Sequence, residues 1–468
     1  MDYWEMRTAV SKILPRRTQI LFQKEGKGFV QEKGRKVNYH EYHITEQRWN
    51  EKKRTLNQDQ YNNFIEVSCR AASCPMPLNV DLWDGLYCGF QCKYCFADSF
   101  RSSLYTSFFD DVKSMGYRKC SPDFFKPELA KLLDHRFEPI KPNDSEIQRA
   151  VKIGIPMRLG IRFENFLPSE KKHGISLALL NYLKDEKYPV MVNSKSDLLG
   201  TEPYVRALAD NPAGSAVHIT LISSDPEILK KMEPGAPNYE KRIATMKALN
   251  DAGIRVVARI EPYMVFINDE PEKVSEYIRD IKSAGVKHLT FDTYSYSALN
   301  PGIKNNFVQR GWDFERMFRL CAESQAIGSL LLEKFMDLFR EEGLSCSTFD
   351  QGSASKNDDD ICCCEVGDLF PTGEFNHGSI VSATNFIKRR KGRKTTWKNY
   401  EKWVEKKGGF LSDDLKLEIK KRWSAEGHAA YSLCWASGMV PVGSDSDGIV
   451  WKYNPDDDFR IPILEGIQ

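Results

Sequence analysis

Cys88-Gly89-Phe90-Gln91-Cys92-Lys93-Tyr94-Cys95-Phe96 puts three thiols on one short loop. Three thiolates can hold three irons of an iron-sulfur cubane, which leaves the fourth iron open to a small molecule that chelates it and accepts an electron. Zinc is the competing use, but zinc sites usually pair Cys-x-x-Cys units or add histidines to reach four ligands, and no histidine lies near this loop in sequence. Twelve cysteines in 468 residues is an ordinary density, which argues against a disulfide framework.

Outward from the loop, short β-branched or aliphatic runs alternate with amphipathic helical segments. Candidate strands are 78–82, 153–162, 190–194, 217–221, 255–261 and 287–292, and from the second onward they recur about every 30 residues, the length of one βα unit. Between them Leu177, Leu180 and Leu183, then Ile243, Met246 and Leu249, share helical spacing. Repeated βα units make parallel strands with right-handed crossovers, and about six strands favour an α/β fold with a partial (β/α)6 barrel of the TIM type over 76–345. The cysteine loop then follows the first strand and opens at the carboxyl ends of the strands, where parallel α/β proteins bind ligands. Residues 101–150 read as an insertion, residues 1–75 as a basic lead-in, and 346–468 as a C-terminal extension. A helix at about 312–342 places Cys321 on an apolar stripe with Phe314 and Phe318, a core position; His40 and His43 are weak metal candidates.

The hydrophobic share of 41% and charged share of 28% suit a globular chain, not a disordered one. Lys and Arg number 67 against 65 Asp and Glu, so no global charge attracts nucleic acid or an anionic membrane. No stretch approaches the ~18 apolar residues of a membrane span, and the start Met-Asp-Tyr-Trp-Glu-Met-Arg lacks a secretory pattern, so a cytoplasmic protein is expected.

The ordered signposts Arg158-Leu159-Gly160-Ile161-Arg162-Phe163, Pro168-Ser169-Glu170, Asn193-Ser194-Lys195-Ser196, His218-Ile219-Thr220, Glu233-Pro234-Gly235-Ala236-Pro237 with Arg242, and Val257-Ala258-Arg259-Ile260-Glu261-Pro262 extend the cysteine loop. Together they resemble the spore photoproduct lyase-like branch of the radical S-adenosylmethionine superfamily, over roughly half of the chain. The resemblance implies a 4Fe-4S cluster on Cys88, Cys92 and Cys95, S-adenosylmethionine chelated at the open iron, and its reductive cleavage to a 5′-deoxyadenosyl radical that abstracts hydrogen from a substrate. It also implies an electron donor such as flavodoxin or ferredoxin. By the same resemblance Lys195, Thr220, Glu164 and Arg259 contact the cofactor, with Tyr94 and Phe96 walling its adenine. An ion pair between Arg259 and Glu261 is the structural alternative. Where relatives often carry a Thr-Asp-Pro-Tyr type sequence after the second strand, this chain has Arg162-Phe163-Glu164-Asn165.

The extension holds a second cysteine group, Cys346, Cys362, Cys363, Cys364 and Cys434. These are candidates for an auxiliary iron-sulfur cluster, for a thiol that returns hydrogen to a substrate radical, and for structural or zinc roles. The run Lys388-Arg389-Arg390-Lys391-Gly392-Arg393-Lys394-Thr395-Thr396-Trp397-Lys398 interleaves cations with aromatics and reads either as a solvated face or as a nucleic-acid surface, with cations on phosphates and Trp397 stacking on bases. The leading expectation is a radical enzyme acting on a nucleobase in DNA, flipped out of its stack, by lesion reversal or base modification. Radical modification of a peptide or small metabolite is the second. A non-catalytic iron-sulfur or zinc protein that binds nucleic acid is the third.

Overall fold

The computed structural model describes residues 2–10, 64–67, 76, 78–85, 88–95, 97, 118–136, 138–293, 325–349, 353, 356–358, 364–369, 379–406, 413–424, 433 and 436–457. Phe96, Cys321, Cys362, Cys363, Cys434, His40 and His43 lie outside them, as do most of the 1–75 lead-in and the first part of the 101–150 insertion.

The main sheet runs β1 (Ile65–Val67), β2 (Leu78–Val80), β5 (Met157–Leu159), β6 (Val190–Ser194), β7 (Ser215–Thr220), β8 (Arg255–Tyr263), β9 (His288–Thr293) and β10 (Ser345–Thr348), in that spatial order. Among the described residues of this sheet only β1 is antiparallel to its neighbour; β2 and β5 to β10 are parallel. Among the described residues the parallel strands therefore number seven rather than six. The addition is β10, whose Ser-Cys-Ser-Thr lacks the apolar run that marks the others. A small side ribbon pairs β3 (Trp83–Asp84) with β4 (Arg118–Lys119).

Aligned residues of neighbouring parallel strands share a face, and alternate residues of each strand take opposite faces. One face carries Val192, Val217, Val256, Leu289 and Cys346 and is covered by helices, among them Ile175–Asp185, Tyr239–Asp251 and Gln325–Glu341. Within those helices Leu180, Leu183, Met246 and Leu249 are buried, as their spacing predicts. The other face is polar: Asn193 aligns with His218, Thr220 with Arg259, Arg259 with Thr290, and Thr290 with Ser347. A sheet apolar on both faces is the expectation for parallel strands covered on both sides. A buried polar face instead marks a surface that handles something other than side-chain packing.

Asp81, just after β2, ties that strand to the turn after β5. Its carboxylate accepts hydrogen bonds from Gly160 N (3.2 Å), Arg162 N (3.2 Å) and Asn165 Nδ2 (2.9 Å), while Asn165 Oδ1 accepts from Leu82 N (2.8 Å). Burial pushes the Asp81 carboxyl up to about 6 despite those donors. Because the folded value lies above the usual one, the stability this group contributes is present at low pH and is lost as pH rises from about 4 through 6. Asn at this position carries no titrating proton. The Tm of the native protein minus that of Asp81→Asn is therefore expected to fall by roughly 5 °C between about pH 4 and pH 7, and thermal melts giving a flat difference contradict it.

A second, separate core lies between residues 380 and 453. Helices Ile380–Arg389, Trp397–Lys406 and Asp413–Ser424 pack with the antiparallel hairpin β11 (Met439–Asp445) and β12 (Gly448–Tyr453) around Trp397, Tyr400, Trp423 and Trp451. The indole N–H groups are satisfied in place, Trp423 donating to Ile449 O at 2.8 Å and Trp451 to Trp423 O at 3.1 Å. Trp397 is 1% exposed and meets Trp423 edge-on at 5.7 Å, which corrects its reading as a base-stacking residue: a ring spent on the core has no free face. No helix among the described residues is long and apolar enough to cross a membrane.

Candidate functional site

Cys88, Cys92 and Cys95 sit half-buried, none of them in a disulfide, on the loop that follows β3. Two backbone bonds fold the loop, Gln91 N to Cys88 O (3.1 Å) and Cys95 N to Cys92 O (3.2 Å), with Gln91 in the left-handed region at φ 49°. The segment after β7 holds it from outside: Lys93 N donates to Met232 O (2.8 Å) and Gly235 N to Phe90 O (3.1 Å). A Cβ on Gly235 would overlap the Gly89 carbonyl oxygen and lie 2.9 Å from Phe90 Cα, so only glycine permits that approach.

Glu233 is the hub behind the loop. Its fully buried carboxylate accepts a hydrogen bond from Tyr94 Oη, pairs with Arg242 Nη1 at 2.5 Å, and has Lys195 Nζ at 4.0 Å. Arg242 is itself fixed by Thr220 O (3.0 Å) and Pro237 O (2.8 Å). Lys195 Nζ stands 5.5 Å from the Tyr94 ring centroid. Burial alone would lower the Lys195 pKa, but Cys92 and Glu233 raise it on balance, so the ammonium stays charged beside the thiols. Burial pushes the Cys92 thiol well above the ordinary range, opposed chiefly by Lys195 and reinforced by Glu233, Cys95 and Cys88. Such a thiol needs a cation to become a thiolate, and a bound iron would supply one.

Among the described residues no three His, Cys, Asp or Glu side chains converge as ligands of one metal ion. A zinc ion would require that convergence, with every sulfur within about 2.3 Å of one point. A cubane asks something looser, since each thiolate meets a different iron at a different corner. Three thiols on one loop, outside any disulfide and with Cys95 and Cys88 close enough to act on Cys92, suit the second demand.

Glu164 is a clamp first: it accepts Phe166 N (2.9 Å), Ser194 Oγ (2.8 Å) and Lys195 N (3.1 Å), and burial raises its pKa against those donors. It thereby sets the backbone from which Lys195 projects. Thr220 is buried, aligned with Arg259, which is ion-paired to Glu261 two residues on along the same face. On that face both amide atoms of Asn193, Nδ1 of His218 and Oγ1 of Thr290 lack hydrogen-bond partners although the residues are nearly fully buried. His218 is held neutral, its pKa far below the usual value through burial and the nearby charges of Arg259, His288 and Arg158. A neutral ring facing the Cys364 carbonyl at 3.0 Å donates from Nε2, so its open Nδ1 is an acceptor.

Cys364 belongs to a segment that closes the amino-terminal end of this face: Arg255, at the start of β8, donates to Glu365 O (2.8 Å), and Leu369 packs against Gly214, just before β7. Cys346 is a correction. Its side chain lies on the apolar face, where Sγ reaches Met336 O (3.7 Å) and Leu344 O (3.9 Å) under helix Gln325–Glu341, and burial pushes the thiol up. A thiol on the helix-covered side of the sheet can neither join a cluster at the polar face nor return hydrogen to a substrate there. Glu233 and Arg242 stand among the sequence signposts but not among the expected site residues; only their spatial meeting with Tyr94 and Lys195 reveals the hub.

No family model matches the sequence. Uncharacterised proteins of Mycobacterium bovis and Mycobacterium tuberculosis are 23% identical over 235 residues, 48% of this chain. The match spans 64% of the length of those curated relatives. The fold comparison reaches spore photoproduct lyase and SuiB. A spore photoproduct lyase complexed with dinucleoside spore photoproduct is 14% identical, covering 51% of this chain and 63% of that one at a TM-score of 0.37. Streptococcus suis SuiB bound to S-adenosylmethionine is also 14% identical, covering 59% and 51% at 0.37.

Proposed function

We propose that the protein is a radical S-adenosylmethionine enzyme of the spore photoproduct lyase-like branch, built on a partial barrel and acting on a nucleobase in DNA. One observation carries the reading: three thiols of a single loop, none of them in a disulfide, stand with a charged lysine beside them, held by the segment that leaves the carboxyl end of β7. Cys88, Cys92 and Cys95 would hold a 4Fe-4S cluster, whose chemistry when bound is one-electron reductive cleavage of S-adenosylmethionine. Lys195 contributes a fixed positive charge beside the site, Glu164 fixes the lysine backbone, and the Tyr94 ring, pinned through its hydroxyl by Glu233, forms a wall. Arg259 and Glu261 present a preset charge pair next to Thr220. The unfilled hydrogen-bonding atoms of Asn193, His218 and Thr290 are donors and acceptors available to a polar substrate. A reactive alkyl radical requires a site closed to stray hydrogen donors, and the Cys364–Leu369 segment supports this by covering one end of the face. The electron donor is a flavodoxin or ferredoxin in this reading.

Anaerobic reconstitution with iron, sulfide, reductant and S-adenosylmethionine is expected to yield 5′-deoxyadenosine, and Cys92→Ala to abolish it together with most bound iron. No 5′-deoxyadenosine from the intact chain, with iron content indifferent to Cys92→Ala, sinks the proposal. Iron remaining on a chain with all three loop cysteines replaced would reveal a second cluster elsewhere.

A further inference from the structure

The second core has an order of its own. Helix Ile380–Arg389 leads to Thr395, which pairs antiparallel with Trp451 of β12 (2.8 and 2.9 Å backbone bonds), then come helices Trp397–Lys406 and Asp413–Ser424 and finally the hairpin β11–β12. Among the described residues, helix, single-residue bridge, helix, helix and a two-stranded hairpin, with the bridge on the hairpin's outer edge, follow the element order of a winged helix. Between residues 379 and 457 the sequence has fifteen Lys and Arg against ten Asp and Glu, in a chain balanced at 67 to 65 overall.

The positive charge is not spread evenly. On helix Asp413–Ser424, Lys416 pairs with Glu401, Lys420 with Asp447 and Arg422 with Glu418. The hairpin tip is acidic, and its Asp447 also binds Lys398 at 3.0 Å. Neither element offers a free cationic surface. Within the sequence run, Lys388 donates to Asn357 O (3.1 Å), and Arg390 lies over the Phe386 ring and donates to Lys394 O (3.1 Å). What is left is a ridge. Lys391, Arg393 and Lys394 are exposed on the turn before Thr395, and Lys402 and Lys406 are exposed one and two turns beyond Lys398 on the same side of their helix. Among the described residues none of these five has a carboxylate within ion-pair distance. The helical part, from Lys402 to Lys406, spans about 6 Å, the axial length of about two phosphates on one strand at ~3.4 Å each.

We propose that this ridge is a docking surface for the phosphate backbone of duplex DNA. The choice of DNA as the polyanion rests on the function proposed above. Among the described residues of the unit, Trp397, Tyr400, Trp423 and Trp451 are buried in its core and Trp403 and Tyr453 pack against it, so these rings are largely spent on packing, and recognition through phosphates favours the regular spacing of a duplex over a flexible strand.

The test uses the full chain without S-adenosylmethionine or reductant, a labelled duplex of about 30 base pairs, and the matching single strand, titrated between about 50 and 200 mM salt. Duplex binding that weakens steeply with salt is expected. The combined variant Lys391→Gln, Arg393→Gln, Lys394→Gln and Lys402→Gln, with an unchanged melting curve, should bind at least about tenfold more weakly and lose about 3 to 4 from the slope of log K against log salt. No duplex binding by the intact chain, preference for the single strand, or a variant that binds with the same affinity and slope overturns the proposal; capture of an acidic protein in place of DNA does so as well. Duplex binding without 5′-deoxyadenosine formation would sink the radical chemistry and leave the docking surface standing, and the opposite pair of results would do the reverse.

Discussion

Replacing Gly235 by alanine is expected to strip the protein of most of its bound iron while leaving all three loop cysteines in place. The single added methyl would overlap the Gly89 carbonyl oxygen and press on Phe90 Cα, both of them backbone atoms of the cysteine loop. A flexible side chain could swing aside at little cost, but a backbone held by Gly235 N to Phe90 O and by Lys93 N to Met232 O has to move as a unit. Overpacking of this kind costs typically about 1–3 kcal/mol, and relief comes only by pushing the loop off its seat. Three thiolates that must each meet a different corner of one cluster tolerate little displacement, so the expected readout is loss of cluster absorbance and of iron per chain, with only a modest fall in Tm. Full iron occupancy in Gly235→Ala would mean that the packing of the β7 segment does not set the loop. Serine at the same position should behave like alanine, because the obstacle is the Cβ itself.

Much of the scaffold was legible because its strands announce themselves by alternation. Val217, His218, Ile219 and Thr220 already separate an apolar side from a polar one, and so do Ala258, Arg259, Ile260 and Glu261. β10 was not legible: Ser345-Cys346-Ser347-Thr348 is short and polar, and only its pairing with β9 makes it a strand. Cys346 followed from that, since a cysteine assigned to the C-terminal extension proved to be a core residue of the sheet. The run of cations and aromatics after Lys388 held a signal that charge counting hides. Trp397, Tyr400 and Val404 recur at helical spacing and are buried, while Lys398, Lys402 and Lys406 recur on the opposite side and are exposed. Amphipathic periodicity separates these two sets, one buried in packing and one facing solvent. The hub at the cysteine loop was beyond any local reading, because Tyr94 and Glu233 are 139 residues apart and nothing near either residue specifies the other.

That hub also makes Glu233 the position where loss of one side chain does the most damage to the folded core. Its carboxylate is the shared partner of Tyr94 Oη, Arg242 and Lys195, and the side chains of Glu233 and Arg242 are 0% and 1% exposed. Glu233→Ala leaves a buried guanidinium with only its two carbonyl contacts, at Thr220 and Pro237, and leaves a phenol without its acceptor. Breaking one side of a buried pair costs about 3–5 kcal/mol, which in a core of this size lowers Tm by on the order of 10 °C. Glu233→Gln keeps an acceptor for Tyr94 but not the charge, and should fall between alanine and the native residue. A purely structural role predicts that Tm and iron content fall together along this series. If Glu233 also sets the electrostatics of the thiols, the glutamine variant departs from that line: one negative charge fewer beside Cys92 favours its thiolate, so the variant should hold iron nearly as well as the native chain despite its lower Tm. Melting curves and iron counts on the two variants decide between these outcomes, and an alanine variant that melts within a degree or two of the native protein would remove Glu233 from the centre of the site.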